Sequence, residues 1–368
     1  MSNVKSNQFD VIVAGAGIAG ITAAAAASHR GLRVALVSTG PGSFVLGAGC
    51  VEIQDMDWTT PSLEEAVNFF SDLTEIAGCG FRGGVGEARS IPTILGSFQT
   101  VSMAPFYMWN GDPTAADRVA VVGIRGLSTF DSSFVADRLA YHSSKLGQRT
   151  TYIATEIKLS TEADTLPGTL QFANRYDRDA GFREELRAAL KDTARAVRLL
   201  ILPGILGMKS GWNEIEWLER ELGCMICELP TLPPSIPGMR LFNRLEARLR
   251  KVGVEIYTGF PIQQLQIENG HCKGVLLETP ARPLKVSADA LILATGPFSG
   301  KLLGTHSYSF SHDLRPVDSS GAVIANNVFG AGAILRNSSA RGGNAKAVLS
   351  GYVCGMLAAG AGVQYAQR

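Results

Sequence analysis

The chain has 368 residues, of which 46% are hydrophobic, and its 34 lysines and arginines against 33 acidic residues leave a formal net charge of +1. This length permits two domains and a large core. A balance so close to zero excludes nucleic acid and anionic membrane surfaces as obvious partners. No apolar run free of charges and glycine reaches the roughly 20 residues of a membrane-spanning helix, so we expect none.

The N-terminal stretch, residues 9–37, has the pattern of a strand, a glycine-rich turn, a helix and a second strand. The turn reads Gly15-x-Gly17-x-x-Gly20. In such turns the first glycine permits a tight bend, the second lets a pyrophosphate approach the backbone, and the third lets the helix pack closely on the strand. The amides at the start of the helix then face the phosphates. The pattern predicts a dinucleotide site.

Two features of this stretch bear on that interpretation. The apolar run after Lys5 is compatible with a secretory signal, but Asp10, three glycines and Thr22 make it a poor hydrophobic helix. At the end of the second strand, the acidic residue that commonly holds the adenosine ribose is replaced by Ser38.

The middle of the chain, residues 51–238, has the pattern of a separate α/β domain without a nucleotide fingerprint. Apolar strand-like runs alternate there with helical periodicity. A proline-dense hinge, Leu229–Gly238, ends it, because four prolines in that span are incompatible with the inside of a helix or central strand. The strands are predicted at 119–124, 151–157 and 199–202, and the helices at 62–78, 132–146, 182–199 and 212–222.

After the hinge the pattern returns to nucleotide-binding elements. We predict a helix over 239–252, a strand at 254–257, a hairpin turning at 268–271, strands at 290–296 and 327–333 that end in glycine, and a small-residue helix over 345–359. The fold class is therefore α/β, with a Rossmann-like flavin-binding domain formed by residues 1–50 and 239–368. Residues 51–238 are the inserted α/β domain, a cap, substrate or partner-docking module.

Six cysteines are scattered along the chain rather than framed like those of a secreted disulfide scaffold. The spacing Cys224-x-x-Cys227 admits a metal or redox interpretation. It lies in a predicted strand, where residues three apart point to opposite faces. We therefore favour buried thiols in a reducing cytoplasm and predict no metal site.

The order of these elements resembles the two-dinucleotide-binding-domain flavoproteins, which include the fumarate reductase type. Three motifs are more specifically similar to the family of the B subunit of anaerobic glycerol-3-phosphate dehydrogenase. They are Val121-Val-Gly-Ile-x-Gly-Leu127, Leu229-Pro-Thr-Leu-Pro-Pro-Ser235 followed by Gly238-x-Arg240-Leu241, and Leu314-Arg-Pro316.

That resemblance implies a flavoprotein subunit, with FAD or alternatively FMN, that helps oxidise glycerol 3-phosphate to dihydroxyacetone phosphate. It implies other flavoprotein and iron–sulfur subunits as partners, and electron transfer towards quinone. The location it implies is cytoplasmic, either free or attached to the inner membrane through partner subunits. The flavin would lie along the glycine turn, the loop after the second strand, the two late glycine-ended strands and the start of the last helix. The predicted cofactor-binding residues are Gly15, Gly17, Ile18, Ala19, Gly20, Ser38, Thr39, Gly47, Ala48, Gly49, Ala294, Thr295, Gly296, Gly332, Ala333, Gly343, Asn344 and Ala345.

A small anionic substrate would be met by arginine, since a guanidinium binds carboxylate or phosphate bidentately. The predicted catalytic residues are Arg341, in a motif similar to that of fumarate reductase flavoproteins, Arg315, and His312 as the base that takes a hydroxyl proton. Arg240, next to the hinge, is predicted to bind substrate. It also begins an arginine stripe along the helix, for which a solvated basic face is the default interpretation.

Other functions stay open at this point. The chain could be a non-catalytic subunit for assembly or electron relay, with or without flavin, because neutral residues occupy Ser38 and Ala333 where acids are common. It could also be a divergent FAD-dependent enzyme for another small hydroxy or carboxylate substrate. The aromatic run Pro105–Trp109 suits a partner-docking surface, a core or a cavity wall equally.

Overall fold

The computed structural model describes residues 8–53, 61–161, 168–297, 302–303, 309–335 and 343–360. The chain forms two compact units. The first comprises residues 1–43, 55–73 and 245–368, and the second comprises 44–54 and 74–244. Compared with the predicted boundaries, residues 55–73 lie in the first unit, and residues 44–50 and 239–244 lie in the second.

The helices of the described residues are α1 (Ile18–His29), α2 (Pro61–Ile76), α3 (Phe106–Trp109), α4 (Ser132–Lys145), α5 (Thr169–Arg178), α6 (Ala180–Ala196), α7 (Trp212–Leu222), α8 (Ile236–Lys251) and α9 (Gly343–Ala358). The strands are β1 (Gln8–Ala14), β2 (Val34–Ser38), β3 (Phe81–Gly83), β4 (Arg89–Pro92), β5 (Phe98–Val101), β6 (Met103–Pro105), β7 (Arg118–Ile124), β8 (Thr151–Ile157), β9 (Leu199–Pro203), β10 (Met225–Leu229), β11 (Glu255–Thr258), β12 (Ile262–Glu268), β13 (His271–Leu277), β14 (Leu284–Leu293), β15 (Ser309–Phe310), β16 (Pro316–Val317) and β17 (Val328–Gly330).

The first unit is built on a sheet in the order β11-β2-β1-β14-β13-β12, with β17 paired to β14. β1 is central and parallel to both neighbours, so that Val11 pairs with Val34 on one side and with Ala290 on the other. The predicted placement of the late strand in the same sheet as residues 11–14 is therefore confirmed. Strands buried on both faces need continuous apolar runs, which explains the sequence of β1.

Helices α1 and α9 of this unit pack with their backbones nearly in contact. A Cβ added at Gly351 would lie 2.4 Å from the carbonyl oxygen of Ala19, and one at Gly355 would lie 2.7 Å from that of Ala23. Small residues on both helices allow this approach. The alanine-rich sequence of α1, buried along ten consecutive residues, is thus explained by packing.

The second unit contains a fully parallel sheet in the order β10-β9-β7-β8. Helix α4 connects β7 to β8, α5 and α6 lead from β8 to β9, and α7 connects β9 to β10. The strand order reverses at β7, as in doubly wound folds. The predicted α/β fold class is confirmed, whereas the short antiparallel pairs β3–β6 and β4–β5 were not predicted.

One expectation about the hinge was wrong. Helix α8 begins at Ile236, three residues before the predicted start, and Pro237 is its second residue. Proline is tolerated there because the first amides of a helix have no intrahelical acceptor.

Candidate cofactor site

The glycine turn after β1 is shaped by contacts that only glycine permits. Gly15 has φ +111°, and a Cβ there would lie 2.3 Å from the carbonyl oxygen of Ala294. A Cβ at Gly20 would lie 1.8 Å from the carbonyl oxygen of Gly15. Both positions are therefore restricted to glycine by packing within the chain itself.

Gly17 is different, because neither its backbone nor its neighbours require glycine. Its φ of −73° suits any residue. A Cβ there would meet only the Ser43 hydroxyl, at 3.9 Å. The space that this glycine leaves is therefore available to a molecule outside the chain, and a cradle of this kind fits a pyrophosphate.

The N-terminus of α1 adds electrostatic attraction for an anion. Gly17 is the N-cap residue, so no side chain caps the first amides, and the first turn contains no acidic residue. The partial positive charge at this end of the 12-residue helix is thus unopposed within the turn. Phosphate groups bind at helix ends of this type.

Two hydroxyl groups at the carboxyl ends of the neighbouring strands lack protein partners. The Ser38 hydroxyl ends β2 in a residue that is 6% exposed, and the Thr295 hydroxyl follows β14. Buried hydroxyls normally have a hydrogen-bond partner, so both point to a polar ligand. Together with the cradle at Gly17, this donor set fits the ribose and phosphate groups of a dinucleotide.

The connection between β17 and α9 reaches the first turn of α1. Gly332 has φ +75°, and a Cβ there would lie 2.8 Å from the Ala19 Cβ. The Gly332 amide donates to the Ser350 hydroxyl at 2.8 Å. Ala333 follows as an exposed residue, and residues 343–345 begin α9. These predicted cofactor residues therefore lie in the same unit as the glycine turn.

The remaining predicted cofactor residues are placed as follows. Thr39 is exposed directly after β2, and Gly296 follows β14 with φ +74°. Residues 47–49 belong to the second unit, where Ala48 is buried and Gly49 has φ +78°. Their contact with a cofactor stays a prediction.

The prediction that Arg240 binds substrate is not supported by its surroundings. The residue is 1% exposed, and its Nη1 and Nη2 lie 2.7 and 3.1 Å from the Glu228 carboxylate. Its Nε donates to the carbonyl oxygen of Gly207 at 2.8 Å. The Tyr107 ring lies 5.2 Å from its guanidinium carbon. Arg240 is therefore a saturated structural ion pair, and the default interpretation of a solvated face is wrong at this position as well.

The predicted catalytic residues are only partly placed. Arg341 lies outside the described residues. Arg315 is half-buried, with Nη1 3.1 Å from Asp313, while its Nε is buried without a hydrogen-bond partner. The preceding Leu314 is buried with φ +62°, a strained conformation of the kind found near functional sites. His312 is exposed.

The aromatic run at 105–109 is core rather than docking surface. Its residues from Phe106 to Trp109 are all at most 9% exposed, and the Phe106 ring stacks on Trp212 at 4.5 Å between centroids. Aromatic residues are enriched both in cores and at interfaces, which is why composition left the choice open.

The cysteines behave as the strand pattern predicted. All six are free, and Cys224 and Cys227 are buried. Burial raises the pKa of the Cys224 thiol to about 11. Within the described part of the chain, no group of three or more histidine, cysteine or acidic side chains is arranged to hold a metal ion.

One residue with functional geometry was missed. Arg244, one turn after Arg240 on α8, has a buried Nε without a partner, although the stripe suggested a solvated side chain. The sequence carries no signal that separates it from the other arginines of the stripe.

Comparison with known proteins identifies the first unit. The family described as FAD binding domain matches residues 10–57 and 236–317. The B subunit of anaerobic glycerol-3-phosphate dehydrogenase from Actinobacillus pleuropneumoniae is 23% identical over 327 residues, covering 79% of this chain and 75% of the relative. The probable B subunit of the same enzyme from Halobacterium salinarum is 25% identical over 427 residues, covering 95% of this chain and 97% of the relative.

Among solved structures, L-amino acid deaminase from Proteus myxofaciens overlaps 82% of this chain, with 15% identity and a TM-score of 0.34. The chain spans about half the length of that protein, 49%. No helix in the described ranges is both long and apolar enough to cross a membrane. The predicted resemblance and cofactor are confirmed by the family match and the named relatives: the chain binds FAD and is a distant relative of the B subunit of anaerobic glycerol-3-phosphate dehydrogenase.

Proposed function

We propose that this chain is an FAD-dependent oxidoreductase subunit that helps oxidise the CH–OH group of glycerol 3-phosphate. The observation that carries the proposal is the open cradle at Gly17, at an uncapped helix N-terminus in a parallel sheet. The relatives named as B subunits of the dehydrogenase, which span most of this chain, supply the substrate and the class of reaction.

The roles proposed for the chain's own residues follow from their placement. The amides of the glycine turn hold the pyrophosphate, and the Ser38 hydroxyl bonds to the ribose in place of an acid. FAD, when bound, supplies the redox chemistry of alcohol oxidation. Arg315 and Arg341 orient the anionic substrate, and His312 accepts the proton of its hydroxyl group.

A second candidate function is electron relay or assembly without catalysis by this chain. Two observations favour it. His312 is exposed, and no hydrogen bond or ion pair positions it among the described residues. Arg240 is committed to Glu228. In this case the partner subunits, another flavoprotein and an iron–sulfur protein, would carry out the oxidation.

Replacement of Gly17 by Val tests the cofactor site. The side chain has room within the chain but would fill the cradle, so we expect a folded protein that has lost its flavin. Gly84→Val is the matched control, because a Cβ at Gly84 meets nothing within 4 Å. Flavin absorbance and mass identification of the extracted cofactor are the measurements. A fully flavin-loaded Gly17→Val protein would refute the proposed site.

Purification from the native host separates the two functions. The catalytic hypothesis predicts reduction of an artificial electron acceptor by glycerol 3-phosphate with the flavin-loaded chain alone. The relay hypothesis predicts turnover only after partner subunits are added. Mass spectrometry of the co-purified proteins identifies those partners.

A further inference from the structure

The guanidinium of Arg244 in the second unit is a half-buried cation without a protein partner. Its Nε is buried and unbonded, and in the described parts of the chain no hydrogen bond or ion pair to its other nitrogens is found. Arginine can donate five hydrogen bonds, and its burial without acceptors is costly. The contrast with Arg240, one turn away and saturated by Glu228 and Gly207, shows that this helix satisfies its other buried guanidinium.

Two glycine-containing loops frame this guanidinium. A Cβ at Gly211 would lie 2.7 Å from the Arg244 Nη2, and one at Gly78 would lie 3.9 Å from Nη1. The amide of Trp212 donates to the Gly78 carbonyl oxygen at 3.1 Å, which ties the two loops together. Glycine at position 211 therefore keeps the guanidinium in place without covering it.

The neighbouring charges do not neutralise Arg244. The carboxylate of Glu214 is engaged by the Gly211 amide at 2.7 Å, and that of Glu216 by the indole of Trp212. A second cation, Arg82, lies over the Trp212 ring at 4.7 Å. The site thus has excess positive charge and room for an acceptor.

We propose that Arg244 anchors an oxyanion, the phosphate or carboxylate group of the substrate. A planar guanidinium binds either group through two parallel hydrogen bonds. The inference rests on the proposed function in one respect, since it identifies the anion as the substrate's. Binding of the anion itself does not depend on turnover.

The test measures anion binding to the full-length, flavin-loaded chain by calorimetry. Inorganic phosphate, glycerol 3-phosphate and succinate are the probes, and the tighter class identifies the natural group. We expect Arg244→Gln to weaken binding at least about tenfold and Arg244→Lys to retain part of it, because lysine keeps the charge but loses the fork. Arg248→Gln, one turn further along α8, is the control and should bind like the parent.

All variants are checked for flavin content and unfolding midpoint. Equal affinity of Arg244→Gln and the parent overturns the inference, as does the absence of binding of all three probes to the flavin-loaded parent. A parent that binds phosphate through Arg244 but holds no flavin contradicts the proposed function and leaves the anion site standing. In turnover, the same substitution should raise KM more than it lowers kcat.

Discussion

Substitution of Arg240 by Met removes one partner of the buried ion pair and tests its structural role. Both partners are inaccessible, with Arg240 at 1% and Glu228 at 0% exposed. Three hydrogen bonds would be lost, two to the Glu228 carboxylate and one to the Gly207 carbonyl oxygen. The carboxylate would remain buried without its cation.

The expected loss follows from what remains around Glu228. Removal of one partner of a buried ion pair costs about 3–5 kcal/mol. Here the carboxylate keeps the amides of Ile205 and Leu206, at 2.8 and 2.7 Å, which favours the lower end. A loss of about 3 kcal/mol corresponds to a fall of roughly 6–12 °C in Tm for a unit of this size.

Thermal unfolding followed by tryptophan fluorescence measures the effect, because Trp109, Trp212 and Trp217 all lie in the second unit. Arg250→Met is the control: it breaks an exposed pair with Glu246 and should change stability by less than about 1 kcal/mol. If Arg240→Met unfolds like the parent but binds substrate more weakly, Arg240 is a ligand and the reasoning above is wrong.

Three further predictions concern packing, pH and assembly. Gly351→Val should destabilise the first unit by about 1–3 kcal/mol, because it forces α1 and α9 apart, whereas Gly343→Ala, with no atom within 4 Å of its Cβ, should have little effect in the same urea titration. Burial raises the pKa of the Cys79 and Cys224 thiols from 9.0 to about 11, so the unfolded chain loses these protons first, and the free energy of unfolding should decline as pH rises from 9 to 11; a flat profile in denaturant titrations would contradict this. Size-exclusion chromatography of native extract should place the chain in a species larger than a homodimer, and elution as a monomer would argue against a complex.

The elements that could be predicted from the sequence are those specified by local pattern. The unit formed by β1, α1 and β2 follows from apolar runs and glycine spacing, both of which act over a few residues. The same holds for the hairpin turning at 268–271. Their side-chain periodicity is set by burial against neighbours that the pattern itself implies.

The site features that were missed depend on contacts between distant segments. The burial of Arg240 requires Glu228 on another element, and the only trace of this in the sequence is one glutamate in the apolar strand β10. The orphan hydroxyl of Ser38 becomes visible only when the neighbouring strands are in place. For the run at 105–109, core and interface have the same composition, so only measured burial could decide.

The pairing of β1 with β14 has a consequence for synthesis of the protein. The glycine turn is closed on one side by the carbonyl group of Ala294, and α1 is covered by α9. At about 5–20 residues per second, a ribosome needs roughly a quarter of a minute to a minute to reach these partners. The strands β7–β10 of the second unit emerge within that interval and can form their sheet first. Cofactor loading must therefore follow translation of the last helix, and the waiting edge of β1 is the segment most in need of protection from aggregation.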